Sequence, residues 1–225
     1  LAATLLILLM FMYSFVFAVG AVFLAVSAIQ PEIESGVLLA MVPRPLRRSD
    51  VVLGRWLGLA AVVSAYVTAT SALEFRVIAT VVDYTPPHPE WAIVSLIAES
   101  LVMLTLGLLC STRLSPMVGG IVALVLFGVC WMGGIVRGVG VALDSDLLRG
   151  IGTVTSLVLP TDGLWRSALF NLEPTLLTSV GGGNAMAANP FLTPTGPSPE
   201  YLAWAAAWLV GVLGAAVVSF ARREL

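Results

Sequence analysis

The chain has 225 residues and a net charge of −2, and 59% of its residues are hydrophobic while 11% are charged. An ordinary soluble domain carries roughly 25% charged residues, so this composition, with a mean hydropathy of +1.01, excludes a water-soluble fold. The sequence has no long basic tract, which excludes a nucleic-acid interface of the usual electrostatic kind.

Several catalytic sites are excluded by missing residue types. All 11 basic residues are arginine, and a phosphate-binding loop of the Walker A kind needs a lysine. His88 is the single histidine, so a two-histidine zinc hydrolase motif is absent. Cys110 and Cys130 lie in or beside apolar runs and are expected to be buried free thiols. We therefore predict a protein that is not an enzyme and carries no metal or other cofactor.

The first apolar run, 3–29, is followed by a polar stretch, 30–55, that contains an amphipathic helix. Pro31 fits the first position of that helix, and its first turn carries the acids that the helix dipole favours, Glu32 and Glu34. Prolines end it, and a cluster of basic residues follows: Arg44, Pro45, Arg47 and Arg48. Ser49 is the predicted N-cap of the next helix.

The rest of the chain continues the pattern of membrane spans, each of which needs about 20 apolar residues. We predict an all-α polytopic membrane protein, a single domain over 1–225, with spans at about 3–29, 56–82, 91–110, 117–136 and 202–220. The remaining long loop, 137–200, contains two short helical stretches, 147–159 and 162–172, predicted to be re-entrant or interfacial.

The distribution of arginine predicts the orientation. With 30–55 in the cytosol, seven arginines face inward and three face outward, whereas the flanking acids are divided four and seven. The protein is then a multi-pass cell-membrane protein with a cytosolic C-terminus, and an aromatic belt lies near the outer surface: Trp91, Tyr201 and Trp204. Five spans place Leu1 outside, and one further helix upstream would give six spans in the full protein.

Three ionisable residues fall inside the predicted spans: Glu74, Arg76 and Glu99. Such groups are costly in lipid and usually face the bundle interior or water. Arg76 and Glu99 lie on neighbouring antiparallel spans and are expected to pair. The pair is interpreted either as a structural contact that fixes helix register or as the polar lining of a substrate path or proton site.

The polar stretch also carries a recognisable motif. Residues 32–39 read Glu-Ile-Glu-Ser-Gly-Val-Leu-Leu, residues 44–48 read Arg-Pro-Leu-Arg-Arg, and residues 53–55 read Leu-Gly-Arg. This pattern resembles the permease subunits of ABC-2-type transporters, with Val37 in place of the usual threonine and Arg55 in place of the usual lysine. Weaker similarities lie at 115–140, at 159–166 and in the arginine-rich end, 220–225.

The resemblance implies a six-helix permease with a cytosolic coupling helix, in which Glu32, Glu34, Gly36, Arg44, Pro45, Arg47 and Arg48 form the contact with an ATPase. It also implies two partners, a separate cytosolic P-loop ATPase subunit and a second permease subunit in a homo- or heterodimer. The expected function is ATP-driven transport, in the direction of export. The alternatives are an ATP-independent secondary transporter or channel and a structural membrane subunit.

Overall fold

A computed structural model describes residues 2–29, 47–172 and 196–222, and within them the chain is helical with no strand. The helices are α1 (Ala2–Val26), α2 (Arg48–Val82), α3 (Pro89–Ser111), α4 (Pro116–Ala142), α5 (Asp146–Val158), α6 (Thr161–Leu172) and α7 (Pro199–Ala221). Five of them, α1 to α4 and α7, are long and apolar enough to cross a membrane. The prediction of an all-α polytopic membrane protein with five spans is confirmed.

The helix starts follow local backbone chemistry. Proline occupies the first helical position, where its missing N–H costs nothing, in three helices: at Pro89, Pro116 and Pro199. α2 begins at Arg48, and the backbone N–H of Arg47 donates to the Asp50 carboxylate at 3.3 Å. Ser49 therefore lies inside α2, and its prediction as the N-cap is wrong.

α3 is the central helix of the bundle and packs against α1, α2, α4, α6 and α7. α1 runs parallel to it in the same direction, and the two backbones approach closely at Gly107. A Cβ on Gly107 would lie 2.8 Å from the Ala25 Cβ and 3.1 Å from the Val22 carbonyl oxygen. A glycine is required for this contact, because any larger residue would push the two helices apart.

The end of the bundle at which residues 30–46 connect α1 to α2 is called the loop end. There the Arg55 guanidinium donates to the Ala28 carbonyl oxygen at 2.7 Å. α3 and α7 end at the same level, since Arg113 donates to the Ser219 hydroxyl at 3.1 Å and to its carbonyl oxygen at 3.0 Å. Side-chain contacts thus join the end of α1 to the start of α2, and the end of α3 to the end of α7.

At the opposite end, called the hairpin end, α5 and α6 form a helical hairpin that folds back into the bundle. α5 runs antiparallel to α4 with backbones in contact, so that a Cβ on Gly152 would lie 2.6 Å from the Gly133 carbonyl oxygen. α6 then returns along α3, and the Ser95 and Ser167 hydroxyls lie 2.8 Å apart. The tip, 159–160, is buried, and the last long loop contains the two short helices that the sequence predicts there.

Candidate functional site

The loop end holds the residues predicted to contact an ATPase. Of these, Arg47 is exposed beside the start of α2 and Arg48 is the first residue of that helix. The others, Glu32, Glu34, Gly36, Arg44 and Pro45, lie outside the described residues.

Arg55 is a residue of the loop end that the sequence pattern does not single out as a coupling residue. Its guanidinium bonds the Ala28 carbonyl, 27 residues earlier in the chain, and so bridges the two ends of the connecting segment. An arginine suits this position because it offers several N–H donors and stays charged. The signal available in the sequence was its place in the Leu-Gly-Arg motif at 53–55.

Glu99 lies in the interior of the bundle, 3% exposed. Its two carboxylate oxygens accept from the Ser14 hydroxyl on α1, at 3.1 and 2.9 Å. Asp162, at the start of α6, is a second acidic side chain in its vicinity. Glu99 therefore belongs to a polar region between α1, α3 and the hairpin, as predicted for a residue that faces the interior.

The predicted pairing of Arg76 with Glu99 is wrong. Trp56 donates to Thr105 at 2.9 Å, which identifies the face of α3 that meets α2. Glu99 is six residues from Thr105 and so lies about 120° around α3 from that face. Arg76 is exposed, so the two side chains point in different directions.

An exposed arginine at residue 76 is explained by the length of α2, which has 35 residues. A hydrocarbon core of about 30 Å covers about 20 residues of helix, which is the separation between Trp56 and Arg76. Arg76 is six residues, about 9 Å, before the end of α2, and its long exposed side chain can extend toward the polar surface.

Glu74 is on the opposite side of α2, about 200° around the helix from Arg76. It is 9% exposed, and neither of its carboxylate oxygens has a hydrogen-bond partner among the described residues. Ser71, one turn away on the same face, is 1% exposed, and its hydroxyl also has no partner there. Two unsatisfied polar side chains therefore lie side by side on a buried helix face.

The hairpin contains an ion pair at its tip. Arg166 donates to the Asp162 carboxylate at 2.9 Å and to the Gly134 carbonyl oxygen on α4 at 3.1 Å. The Asp162 side chain is 4% exposed, and a Cβ on Gly134 would collide with it. The glycine thus makes room on α4 for a buried charge that belongs to α6.

Three aromatic side chains of α7 hold the end of α5 through three consecutive carbonyl oxygens. Tyr201 donates to the oxygen of residue 156 at 3.4 Å, Trp204 to that of residue 157 at 3.2 Å and Trp208 to that of residue 158 at 2.8 Å. The last carbonyls of a helix have no partner within it. The predicted belt residues Tyr201 and Trp204 therefore also anchor the hairpin, together with Trp208, which was not predicted.

A cavity of about 290 Å³ lies between α1 and α2. Apolar side chains, Tyr66 and one glycine line it, and the apolar residues include Phe17, Ala21, Val63 and Val67 while the glycine is Gly20. Within the described ranges no group of three or more histidine, cysteine, aspartate or glutamate side chains is placed to hold a metal ion. Cys110 and Cys130 are buried free thiols, as predicted.

A helical membrane bundle with a hairpin packed into it restricts the class of protein, and comparison with known families decides it. The family model described as ABC-2 family transporter protein matches residues 2–225. The chain belongs to the ABC-2 transporter family. No curated protein matches the chain significantly.

Membership of the ABC-2 family confirms the resemblance that the motifs of the loop predicted. ABC-2 permeases are the transmembrane components of ABC-type transport, and the family generally works with a cytosolic ATPase subunit. With five apolar helices long enough to cross a bilayer, the chain is a multi-pass membrane protein of that transport system.

Proposed function

We propose that the chain is the permease subunit of an ATP-driven exporter, and that a separate cytosolic P-loop ATPase subunit supplies the energy. The observation that carries this proposal is the match of the ABC-2 family over residues 2–225. The absence of lysine from the sequence supports the division of labour, because a phosphate-binding loop of the usual kind needs that residue.

The coupling contact is the segment 30–55. Its two ends are tied by the bond from Arg55 to the Ala28 carbonyl, so a displacement of the segment acts on α1 and α2 together. α1 is in turn locked to α3 through Gly107 and through the bond between Ser14 and Glu99. A displacement at the loop end is therefore transmitted to the centre of the bundle through these contacts.

The loop end faces the cytosol in this proposal. Arg47, Arg55, Arg113 and Arg222 are at that end of the described helices, and an excess of arginine is typical of cytosolic loops. The C-terminus is then cytosolic, and the hairpin lies at the outer side. A second permease subunit, identical or homologous, completes the membrane part, as is usual for transporters of this kind.

The decisive experiment is co-purification of the tagged chain with a P-loop ATPase encoded by a neighbouring reading frame, followed by ATPase and transport assays in proteoliposomes. We expect a stable complex and ATP-dependent substrate movement. Glu34→Lys and Gly36→Pro should each reduce both complex formation and coupling.

Glu200→Lys is the matched control, since Glu200 is exposed in the first turn of α7 at the other end of the bundle. It should leave the complex intact. The proposal fails if no ATPase binds the chain, or if transport proceeds equally well without ATP, as an ion-coupled transporter or channel would allow.

A further inference from the structure

The unsatisfied pair Glu74 and Ser71 is the most unusual feature of the membrane-spanning part. A buried carboxylate without a partner is expensive in an apolar environment, and such residues within membrane spans usually mark a substrate or ion path. The nearest arginine along the chain, Arg76, points to the other side of α2 and is exposed. The charge of Glu74 is therefore not compensated from within its own helix.

The helix face that carries this pair continues into the apolar cavity. Val63 and Val67 line the cavity between α1 and α2, and Ser71 and Glu74 follow Val67 at helical spacings of four and seven residues. Glu74 is therefore about 10 Å from Val67 along the axis, toward the hairpin end. An apolar space and an unpaired carboxylate are thus arranged end to end along one helix face.

We propose that this face binds a lipophilic cation, with an ammonium group at the Glu74 carboxylate and the Ser71 hydroxyl and an apolar chain in the cavity between α1 and α2. The carboxylate selects positive charge, and a cation with its own apolar surface can enter the site from the bilayer. As a statement of substrate class, the inference rests on the proposed transport function.

The charge requirement can be measured on the full chain in lipid nanodiscs, by equilibrium dialysis with radiolabelled decyltrimethylammonium and with empty nanodiscs as the partition blank. We expect saturable binding that Glu74→Gln weakens at least tenfold. Glu90→Gln removes a carboxylate from an exposed position at the start of α3 and should leave the affinity unchanged. Decyl sulfate, an anion with the same chain length, should show no saturable binding.

The cavity requirement is measured with a pair of glycine variants. Gly20 lines the cavity and Gly58 is exposed on α2, and in both cases an added Cβ meets no atom within 4 Å. Gly20→Leu should weaken binding of the cation at least fivefold, whereas Gly58→Leu should not. If Glu74→Gln does not fold, the two glycine variants still test whether the cation binds in the cavity.

The proposal is overturned if decyl sulfate binds as tightly as the cation, if Glu74→Gln retains full affinity, or if Gly20→Leu and Gly58→Leu behave alike. Because binding is measured without ATPase or ATP, its outcome is independent of the coupling assay. Binding with the expected pattern but no ATP-driven transport would reject the proposed function and keep the site. Transport of other molecules without cation binding would reject the site alone.

Discussion

The Ser14 hydroxyl donates to both carboxylate oxygens of Glu99, at 3.1 and 2.9 Å, across the contact between α1 and α3. Ser14 is 3% exposed and so is Glu99. The bond joins two parallel helices at a point 85 residues apart in the chain, and it fixes their relative height. Among the described residues, the Ser14 hydroxyl is the one hydrogen-bond donor to this buried carboxylate.

We expect Ser14→Ala to lower the thermal stability of the purified chain, because it leaves a buried carboxylate without its donor, at a cost of about 1–3 kcal/mol. Ser14→Ala combined with Glu99→Leu should recover part of the loss. The thermal midpoint from fluorescence-detected size-exclusion chromatography measures both. Ser27→Ala, at the exposed end of α1, is the control. A midpoint as low for the control as for Ser14→Ala would contradict the prediction.

Gly152→Ala should destabilise the hairpin, since the new methyl group would lie 2.6 Å from the Gly133 carbonyl oxygen. Overpacking of this kind costs about 1–3 kcal/mol. Gly150→Ala, in the same helix, meets no atom within 4 Å and should be neutral or slightly stabilising, because alanine is the better helix former. Limited proteolysis near residues 143–146 reports the difference, and equal cleavage of both variants would disprove the packing argument.

Arg166→Gln should be among the most damaging substitutions in the hairpin. It leaves Asp162, whose side chain is 4% exposed, without its ion-pair partner, and breaking a buried pair costs about 3–5 kcal/mol. Asp162→Asn together with Arg166→Gln should be more stable than Arg166→Gln alone. The yield of monodisperse protein in detergent compares the variants. If the double variant is less stable than Arg166→Gln, the ion pair with Asp162 is not the main way in which Arg166 stabilises the hairpin.

Arg55→Ala should uncouple ATP hydrolysis from transport more than it destabilises the chain, because it separates the two ends of the segment 30–55. We expect at least a fivefold fall in substrate transported per ATP hydrolysed, while the ATPase remains bound. Arg222→Ala removes an exposed arginine at the same end and should preserve the ratio. An unchanged ratio in Arg55→Ala would show that the bond to Ala28 does not transmit the motion.

Trp208→Phe should loosen the attachment of the hairpin to α7, since phenylalanine cannot donate to the carbonyl of residue 158. Loss of one such bond costs about 1 kcal/mol. Trp91→Phe is the matched substitution at an indole that is 60% exposed. Amide hydrogen exchange in the last turn of α5 should be faster in Trp208→Phe and unchanged in Trp91→Phe. Unchanged exchange in Trp208→Phe would contradict the prediction.

The spans could be predicted from sequence because a run of about 20 apolar residues has few other uses. The hairpin at 146–172 could be predicted as two short helices, since its stretches are too short to cross a bilayer. The pairing of Arg76 with Glu99 could not be judged, because it depends on how each helix is rotated. That rotation is set by contacts between distant residues, such as Trp56 with Thr105 and Ser14 with Glu99.

The donors of α7 were missed for a related reason. Tyr201, Trp204 and Trp208 form a stripe at helical spacing, but an aromatic stripe near a helix end reads first as contact with lipid head groups. Only the position of α5 shows that their polar atoms have a protein partner. Likewise, Arg55 is one of several arginines on the predicted cytosolic side, and only the structure shows that it donates to the Ala28 carbonyl.

The contact between α4 and α5 has a mechanical consequence. Gly133, Gly140 and Gly152 each lie directly against the other helix, at Thr155, Leu148 and Arg137 respectively, with no room for a Cβ, so the two helices resist sliding past each other. On its other flank the hairpin packs against α3 through α6, whose apolar residues Leu164, Leu169 and Leu172 are buried, and the Ser95 and Ser167 hydroxyls are in contact there. The hairpin is therefore held between α4 and α3, and a displacement of either helix would carry it along.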